Sequence, residues 1–348
     1  MKLIIKIVQL ISLALITVLI TNCKSNTSTD KVISSEVQVD SSLFLKESVL
    51  SITKTPCTLS DGTITECYEI VTNSTPQDHQ MGPWCPKSID DDASKGGIWL
   101  ENGEVYDVDG DFVKNMATLY NDSKWKMYDE DGIIYRTKTI EECREAANPN
   151  VGVEYENFCV ECLPSYVADL TQTYLIPISP VKLDQPYSLE SRGGGPRADG
   201  HPPVDREGNG PPPERPENGA RPDFNARGLA FNGVRFDAPA PTNAILGAYT
   251  LAPFDDAGGH INLNAGYHYH AATGISTQIK QEDGHATMIG YAMDGYGMYN
   301  QLDENGKEPT DLDDCRGHTD EKRGYHYHVA AAGSNSFINC FTGATAMN

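Results

Sequence analysis

Short alternations of apolar and polar residues, interrupted by turn residues, predict β-strands along much of the chain. The clearest example surrounds Asp61-Gly62, where the flanking segments alternate and end in Cys57 and Cys67. This is the pattern of a β-hairpin, and we predict a disulfide across it. Similar strand-and-turn patterns recur between residues 98 and 135. The predicted fold is therefore mainly β, with a sandwich or barrel-like core and few short helices.

Three segments depart from this alternation. Thr139 followed by Glu142 predicts a short helix with a capping box. Residues 186–228 are rich in Pro and Gly and poor in aliphatic residues, which predicts a disordered insertion. Residues 7–20 are apolar without interruption by charge, which is too short for a comfortable membrane span.

The N-terminal apolar run indicates export. Lys2 and Lys6 precede it and Cys23 follows it, so residues 1–22 resemble a bacterial lipoprotein signal peptide. We expect lipidation of Cys23, a polar tether over residues 23–45, and a location in the cell envelope, at the outer membrane or the cell surface. The alternative is ordinary cleavage nearby, which would leave Cys23 lost or free.

Cysteine usage is consistent with an oxidising compartment. The chain has nine cysteines, and removing Cys23 leaves an even number. The last two, Cys315 and Cys340, are predicted to pair with each other. Cys159 and Cys162 form a C-x-x-C without a second pair at zinc-ribbon spacing, so we expect disulfides to the remaining two cysteines, with the connectivity left open. Those remaining cysteines are Cys85 and Cys143.

Composition restricts the function. The 348 residues carry 49 acidic and 27 basic side chains, a formal net charge of −22, which argues against nucleic acid as a partner. Hydrophobic residues make up 39%, enough for a sizeable core. Neither a phosphate-binding glycine loop nor a Gly-x-Ser-x-Gly nucleophile motif is present in the sequence. The sequence identifies no particular protein or glycan partner.

The C-terminal part contains an internal duplication. One copy reads Asp-Asp-Ala-Gly-Gly-His over residues 255–260 and Gly-Tyr-His-Tyr-His over residues 266–270. The second copy reads Asp-Asp-Cys-Arg-Gly-His over residues 313–318 and Gly-Tyr-His-Tyr-His over residues 324–328, 58 positions later throughout. The duplication predicts two half-modules related by a pseudo-twofold axis.

The duplicated histidines are candidate metal ligands. Because side chains alternate along a strand, the two histidines of each Tyr-His-Tyr-His motif share one face and the tyrosines share the other. Clustered imidazoles favour Cu(II) or Zn(II), so we predict a copper or zinc ion as cofactor. The predicted ligands are His260, His268, His270, His318, His326 and His328. The predicted supporting residues are Asp256, Asp314, Tyr267, Tyr269, Tyr325 and Tyr327.

Two arrangements of these ligands are open. In the one we favour, His268, His270, His326 and His328 converge on one shared site, with His260 and His318 at its flanks. In the other, each copy forms its own three-histidine site. His79 and His285 are weaker candidates, and Asp256 and Asp314 would either orient imidazoles or cap turns.

The paired motifs resemble the YHYH domain family of secreted bacterial proteins. Residues 76–86, 232–234 and 302–306 are also similar to recurrent segments of that family, so the resemblance extends roughly over residues 50–345 and implies a YHYH-type domain over residues 46–345. The chain departs from a symmetric pattern at Ala257, where the second copy has Cys315. The resemblance implies an extracytoplasmic domain and little about mechanism.

Three functions fit these observations. The chain is a metal-binding envelope protein, a metalloenzyme that uses the same site, or a structural or ligand-binding module. In the last case the histidines and tyrosines form a metal-free hydrogen-bond network.

Overall fold

The computed structural model describes residues 38–73, 75–147, 151–189 and 225–347. The predicted signal peptide, Cys23 and most of the predicted insertion lie outside these residues. The described residues fall in one compact unit.

The prediction of a mainly β protein is confirmed. The described residues contain fifteen strands and three α-helices. The strands are β1 Val49–Thr58, β2 Ile64–Asn73, β3 Ile98–Glu101, β4 Glu104–Asp107, β5 Thr171–Pro177, β6 Lys182–Ser188, β7 Gly228–Ala230, β8 Arg235–Phe236, β9 Gly259–Asn262, β10 Gly266–Tyr269, β11 Met288–Ala292, β12 Gly297–Tyr299, β13 Gly317–Asp320, β14 Gly324–His328 and β15 Cys340–Gly343. The helices are α1 Gly110–Leu119, α2 Ile140–Ala146 and α3 Thr242–Gly247.

The central feature is an eight-stranded sheet with the order β13-β14-β12-β11-β7-β8-β10-β9. Its two halves mirror each other: β9, β10, β8 and β7 correspond to β13, β14, β12 and β11. The antiparallel pair β7–β11 lies at the centre, and the hairpins β9–β10 and β13–β14 lie at the two ends. The pseudo-twofold relation predicted from the duplication is therefore present. The sheet is open, with β9 and β13 as its edges, so the core is not a closed barrel.

Smaller sheets pack around the central one. β1, β2 and β5 form an antiparallel sheet in which the predicted hairpin pairs Cys57 with Thr65 and Thr55 with Cys67. The pairs β3–β4 and β6–β15 form two further sheets. The predicted helix is α2, and its capping box between Thr139 and Glu142 is present.

Four disulfides cross-link the described part of the chain. Two are the predicted pairings, Cys57–Cys67 and Cys315–Cys340. The other two settle the connectivity that the sequence left open, as Cys85–Cys159 and Cys143–Cys162. Disulfides at this density are consistent with an extracytoplasmic protein.

The folded part of the chain includes residues 38–45, which lie within the predicted tether. Val39 and Phe44 are 3% and 4% exposed, and the Phe44 ring packs against Phe231 and Tyr291. Backbone amides of this segment also hydrogen-bond to the core, for example from Leu45 to the Phe231 carbonyl. Residues 38–45 are therefore part of the domain, because their apolar side chains find a hydrophobic surface that the local sequence does not reveal.

Both ends of the range predicted as an insertion, residues 186–228, belong to the folded domain. Strand β6 continues to Ser188 and Leu189 is buried, while Ala226 and Arg227 are buried just ahead of β7. No helix among the described residues is long and apolar enough to cross a membrane.

Candidate functional site

Seven of the eight histidines in the described residues form two clusters, one at each end of the central sheet. The first cluster consists of His260, His268 and His270, and the second of His285, His318, His326 and His328. Within each cluster the candidate ligand atoms all lie within 4.8 Å of one another.

Cross-strand pairing builds the first cluster. His260 on β9 lies directly opposite His268 on β10, and His270 follows at the end of β10 on the same face. The Nε2 atoms of His260 and His270 are 3.2 Å apart. The register of the β9–β10 hairpin therefore places His260, which precedes the motif, beside His268.

The second cluster repeats this arrangement and adds a fourth imidazole. His318 on β13 lies opposite His326 on β14, and their Nε2 atoms are 3.0 Å apart. His285, which precedes β11, places its Nε2 atom 3.0 Å from that of His326 and 3.2 Å from that of His328. His285 belongs to this cluster although its position outside the repeated motif made it a weak candidate.

Hydrogen bonds determine which ring nitrogens face the cluster centres. In five of the seven histidines, Nδ1 lies 2.7 to 3.0 Å from a backbone carbonyl oxygen. A carbonyl only accepts hydrogen bonds, so Nδ1 carries the proton and Nε2 of the neutral ring is left with a lone pair. His318 instead places Nδ1 3.0 Å from a carboxylate oxygen of Asp311. The Nε2 atoms of His285, His326 and His328 in the second cluster are therefore acceptors, with that of His285 3.0 Å from that of His326 and 3.2 Å from that of His328.

Burial favours the neutral form in six of the seven histidines. Desolvation lowers the pKa of His326 to about 4 and that of His328 to about 3. Desolvation also lowers the pKa values of His260 and His270 well below the usual range, with neighbouring histidines adding to the effect. Neutral imidazole is the form that ligates a metal.

The tyrosines of the motifs point away from the histidines, as the strand alternation predicted. Tyr267, Tyr269 and Tyr327 are buried in one hydrophobic cluster, and Tyr325 packs against it. No contact of these four tyrosines with the clustered imidazoles occurs in the part of the chain described. Their predicted role as supporting residues for a metal is therefore corrected: they anchor the two motif strands to the core.

In each motif, the first of the two adjacent aspartates accepts the hydrogen bonds that hold the local structure. Asp255 accepts hydrogen bonds from the Tyr267 hydroxyl at 2.8 Å and from the Gly82 amide at 2.9 Å. Asp313 accepts from the Tyr325 hydroxyl and the Gly317 amide, both at 2.9 Å. These carboxylates close the turns before β9 and β13.

The predictions for Asp256 and Asp314 are corrected accordingly. Asp256 is exposed, and both residues accept hydrogen bonds through their backbone carbonyls, from the side chains of Thr273 and Asn339 respectively. Backbone carbonyls and Asp311 orient the imidazoles instead. The conformation of the turn decides which of the two adjacent aspartates points into the structure. The sequence Asp-Asp alone does not show which one that is.

The glycine before each upstream histidine is required by close packing. A Cβ atom at Gly259 would lie 2.5 Å from the Tyr267 hydroxyl oxygen, and one at Gly317 would lie 2.1 Å from that of Tyr325. Any side chain there would displace the ring that anchors the strand.

The favoured shared site is wrong, and each copy forms its own cluster. Strands β12, β11, β7 and β8 lie between β14 and β10. At a strand spacing of about 4.8 Å, the two motif strands are on the order of 20 Å apart. The twofold relation passes through the β7–β11 pair, which sends the equivalent hairpins to opposite ends.

Two residues beside the clusters were not predicted, and they occupy equivalent positions. Tyr269 pairs with Phe236 and Tyr327 pairs with Met298, so the next residues, Asp237 and Tyr299, correspond. Asp237 places Oδ2 3.8 Å from Nε2 of His268. The Tyr299 ring lies 4.8 Å from the His285 ring and 4.9 Å from the His326 ring, centroid to centroid.

His79 lies outside both clusters. Its ring hydrogen-bonds to Asp78 at 2.8 Å and approaches the Tyr267 hydroxyl at 3.3 Å, on the tyrosine side of the sheet. Asn232 and Thr277 also donate to Asp78, and together these bonds hold the pKa of that carboxyl well below its usual range despite its partial burial. His79 is part of the hydrogen-bond network that holds the first motif strand.

Comparison with known families agrees with the resemblance seen in the sequence. Residues 212–311 match a family described as YHYH protein. The match contains the first Tyr-His-Tyr-His motif and His285, and it ends before the second motif. No curated protein and no solved structure is significantly similar to the chain.

Proposed function

We propose that this YHYH-domain chain is an extracytoplasmic, lipid-anchored protein that binds two transition-metal ions, copper or zinc, one in each histidine cluster. The disulfides and the family match support the extracytoplasmic location. The lipid anchor is inferred from the signal-like N-terminus and Cys23.

The metal proposal rests on the close approach of Nε2 atoms that each carry a lone pair. In the second cluster the Nε2 atom of His285 lies 3.0 Å from that of His326 and 3.2 Å from that of His328, while Nδ1 of all three rings donates to a carbonyl. Two acceptors at this distance repel each other unless a cation lies between them. A metal that binds nitrogen at about 2.0–2.1 Å in a tetrahedron separates its ligand atoms by about 3.3 Å, close to the observed spacing.

The same observation argues against a metal-free hydrogen-bond network. A network needs a donor for each acceptor, and the ring protons of these histidines are already directed at backbone carbonyls. Protonating the rings to provide donors is opposed by burial, which lowers their pKa values.

Elemental analysis of protein purified without an affinity tag tests the proposal. We expect about two equivalents of copper plus zinc per chain after dialysis against either ion at neutral pH. His268→Ala with His270→Ala should lose one equivalent, and His326→Ala with His328→Ala the other. Substoichiometric retention of both metals by the wild-type protein would reject metal binding.

A further inference from the structure

We propose that the two clusters have different functions: the metal of the first cluster takes a small-molecule ligand at an open coordination position, while the four histidines of the second cluster fill the coordination positions of its metal. This inference rests on the proposed function.

The first cluster lies in the wall of a cavity. The cavity has a volume of about 830 Å³, and His260, His268 and His270 all line it. This volume is within the range of about 300–1,000 Å³ that is typical of small-molecule sites. None of the four histidines of the second cluster lines this cavity. A ligand in the cavity would thus reach one metal and not the other.

Ligand number separates the clusters in the same way. Among the described residues the first cluster supplies three imidazoles and the second supplies four. Three protein ligands leave a position for water or substrate on a tetrahedral ion, whereas four complete the tetrahedron. The extra imidazole is His285, which lies outside the duplicated motif.

The corresponding residues Asp237 and Tyr299 add a chemical difference. Asp237 is buried and accepts hydrogen bonds from Arg235 at 2.5 Å and from the Ala238 amide at 2.8 Å, which holds its carboxylate beside Nε2 of His268. Asp237 also lines the cavity. It is therefore placed to accept a hydrogen bond from a protonated group bound at the open position. In the second copy of the duplication, the position equivalent to Asp237 is occupied by the phenol ring of Tyr299.

The walls of the cavity define the class of ligand. Away from the histidines and Asp237, the lining is mixed: large apolar side chains such as Trp84, Leu189, Ile261 and Ile338 form much of it, and the charged residues Glu161 and Arg227 also line it. A fitting ligand has an apolar body and a terminal group with one or two nitrogen or oxygen donors, such as an aryl hydroxamate, whose two oxygens a zinc-type ion can accept by expanding to five ligands. The donor would bind the metal, and the body would fill the apolar part of the cavity.

Titration of the Co(II)-loaded protein with azide tests the open position. We expect one azide per two bound cobalt ions, seen as a change in the visible absorption of half of the metal. The response should persist in His326→Asn/His328→Asn and disappear in His268→Asn/His270→Asn. Two azides per chain, none, or a response confined to the second cluster would overturn the inference while leaving two-metal binding intact. Failure to bind cobalt, copper and zinc at all would overturn both proposals.

A variant at the cavity mouth tests the ligand class without touching a metal ligand. Ala244 on α3 is exposed and lines the cavity, so Ala244→Trp should narrow the entrance. We expect benzohydroxamate to bind the wild-type cobalt protein at least about tenfold more tightly than acetohydroxamate. Ala244→Trp should remove most of that preference and leave azide binding unchanged. Equal affinity for the two hydroxamates in the wild-type protein would reject the apolar cavity as the ligand site.

Discussion

His285 and His326 are 41 residues apart in sequence, yet their Nε2 atoms lie 3.0 Å apart. His326 belongs to the second Tyr-His-Tyr-His motif, whereas His285 precedes a different strand. Their Nδ1 atoms both lie near backbone carbonyls, those of Gly324 and Ala286. The two imidazoles therefore present acceptor atoms to each other.

We predict that His285→Ala weakens metal binding at the second cluster only. The substitution removes one of four nitrogen ligands, and we expect the affinity for the second zinc ion to fall by about 100-fold or more. Competition titration with a zinc chelator measures both affinities. His79→Ala is the matched control, because His79 lies outside both clusters; equal losses in the two variants would contradict the assignment of His285 as a ligand.

Adjacent aspartates of the first motif should differ in their effect on stability. Asp255→Ala leaves the buried Tyr267 hydroxyl and the Gly82 and Gly259 amides without their acceptor, so we expect a loss of about 2–4 kcal/mol in the free energy of unfolding. Asp256→Ala should match the wild-type protein, because that side chain is exposed. Urea denaturation of metal-free protein decides between them, and a larger loss in Asp256→Ala would show that the turn is assigned to the wrong residue.

Acid should destabilise the metal-free protein from the normal histidine pKa downwards. Burial lowers the pKa of His326 to about 4 and of His328 to about 3, while the unfolded chain titrates near 6.5. Between these values the unfolded state binds more protons, so stability is complete above about pH 6.5 and decreases as the pH falls towards 4.

By pH 5 we expect a loss on the order of 1–2 kcal/mol per buried histidine. Urea unfolding in the presence of a metal chelator, repeated from pH 7.5 to pH 5, measures this loss in the free energy of unfolding. Asp255 and Asp294 act in the opposite sense, because burial raises their pKa values and the folded state takes up protons first. The variant His326→Asn/His328→Asn isolates the histidine contribution, and a slope as steep as that of the wild type would contradict this account.

The Cys315–Cys340 disulfide should support the second cluster. It joins the turn before β13 to β15 across a sequence separation of 25. Replacing both cysteines with Ser should cost about 3–4 kcal/mol on the chain-entropy model and loosen binding of the second metal. Cys57→Ser with Cys67→Ser is the comparison, since that disulfide closes a shorter loop in a different sheet. If it perturbs the second metal equally, the link between the disulfide and the cluster is wrong.

Lipid anchoring predicts a simple fractionation result. Cys23→Ser should move the protein from the membrane fraction to the soluble fraction, because the acyl chains would be absent. Membrane association that survives the substitution would place the anchor elsewhere.

Local sequence determined much of this protein. The Asp61-Gly62 turn and its flanking alternation predicted the hairpin β1–β2 with its disulfide, and the capping box predicted α2. Strand alternation placed the histidines of each motif on one face and the tyrosines on the other. These features depend on neighbours within a few residues, where backbone geometry alone sets the relation.

Tertiary structure decided how the two copies are arranged. A duplication predicts a twofold relation, but it does not say which strands meet at the axis. Here the short strands β7 and β11 pair at the centre, so the histidine hairpins lie at opposite ends and form two clusters. The membership of His285, the choice of Asp255 over Asp256, and the exchange of Asp237 for Tyr299 all depend on contacts between segments distant in sequence. Such contacts are set by strand order and register in the assembled sheet, which no local pattern encodes.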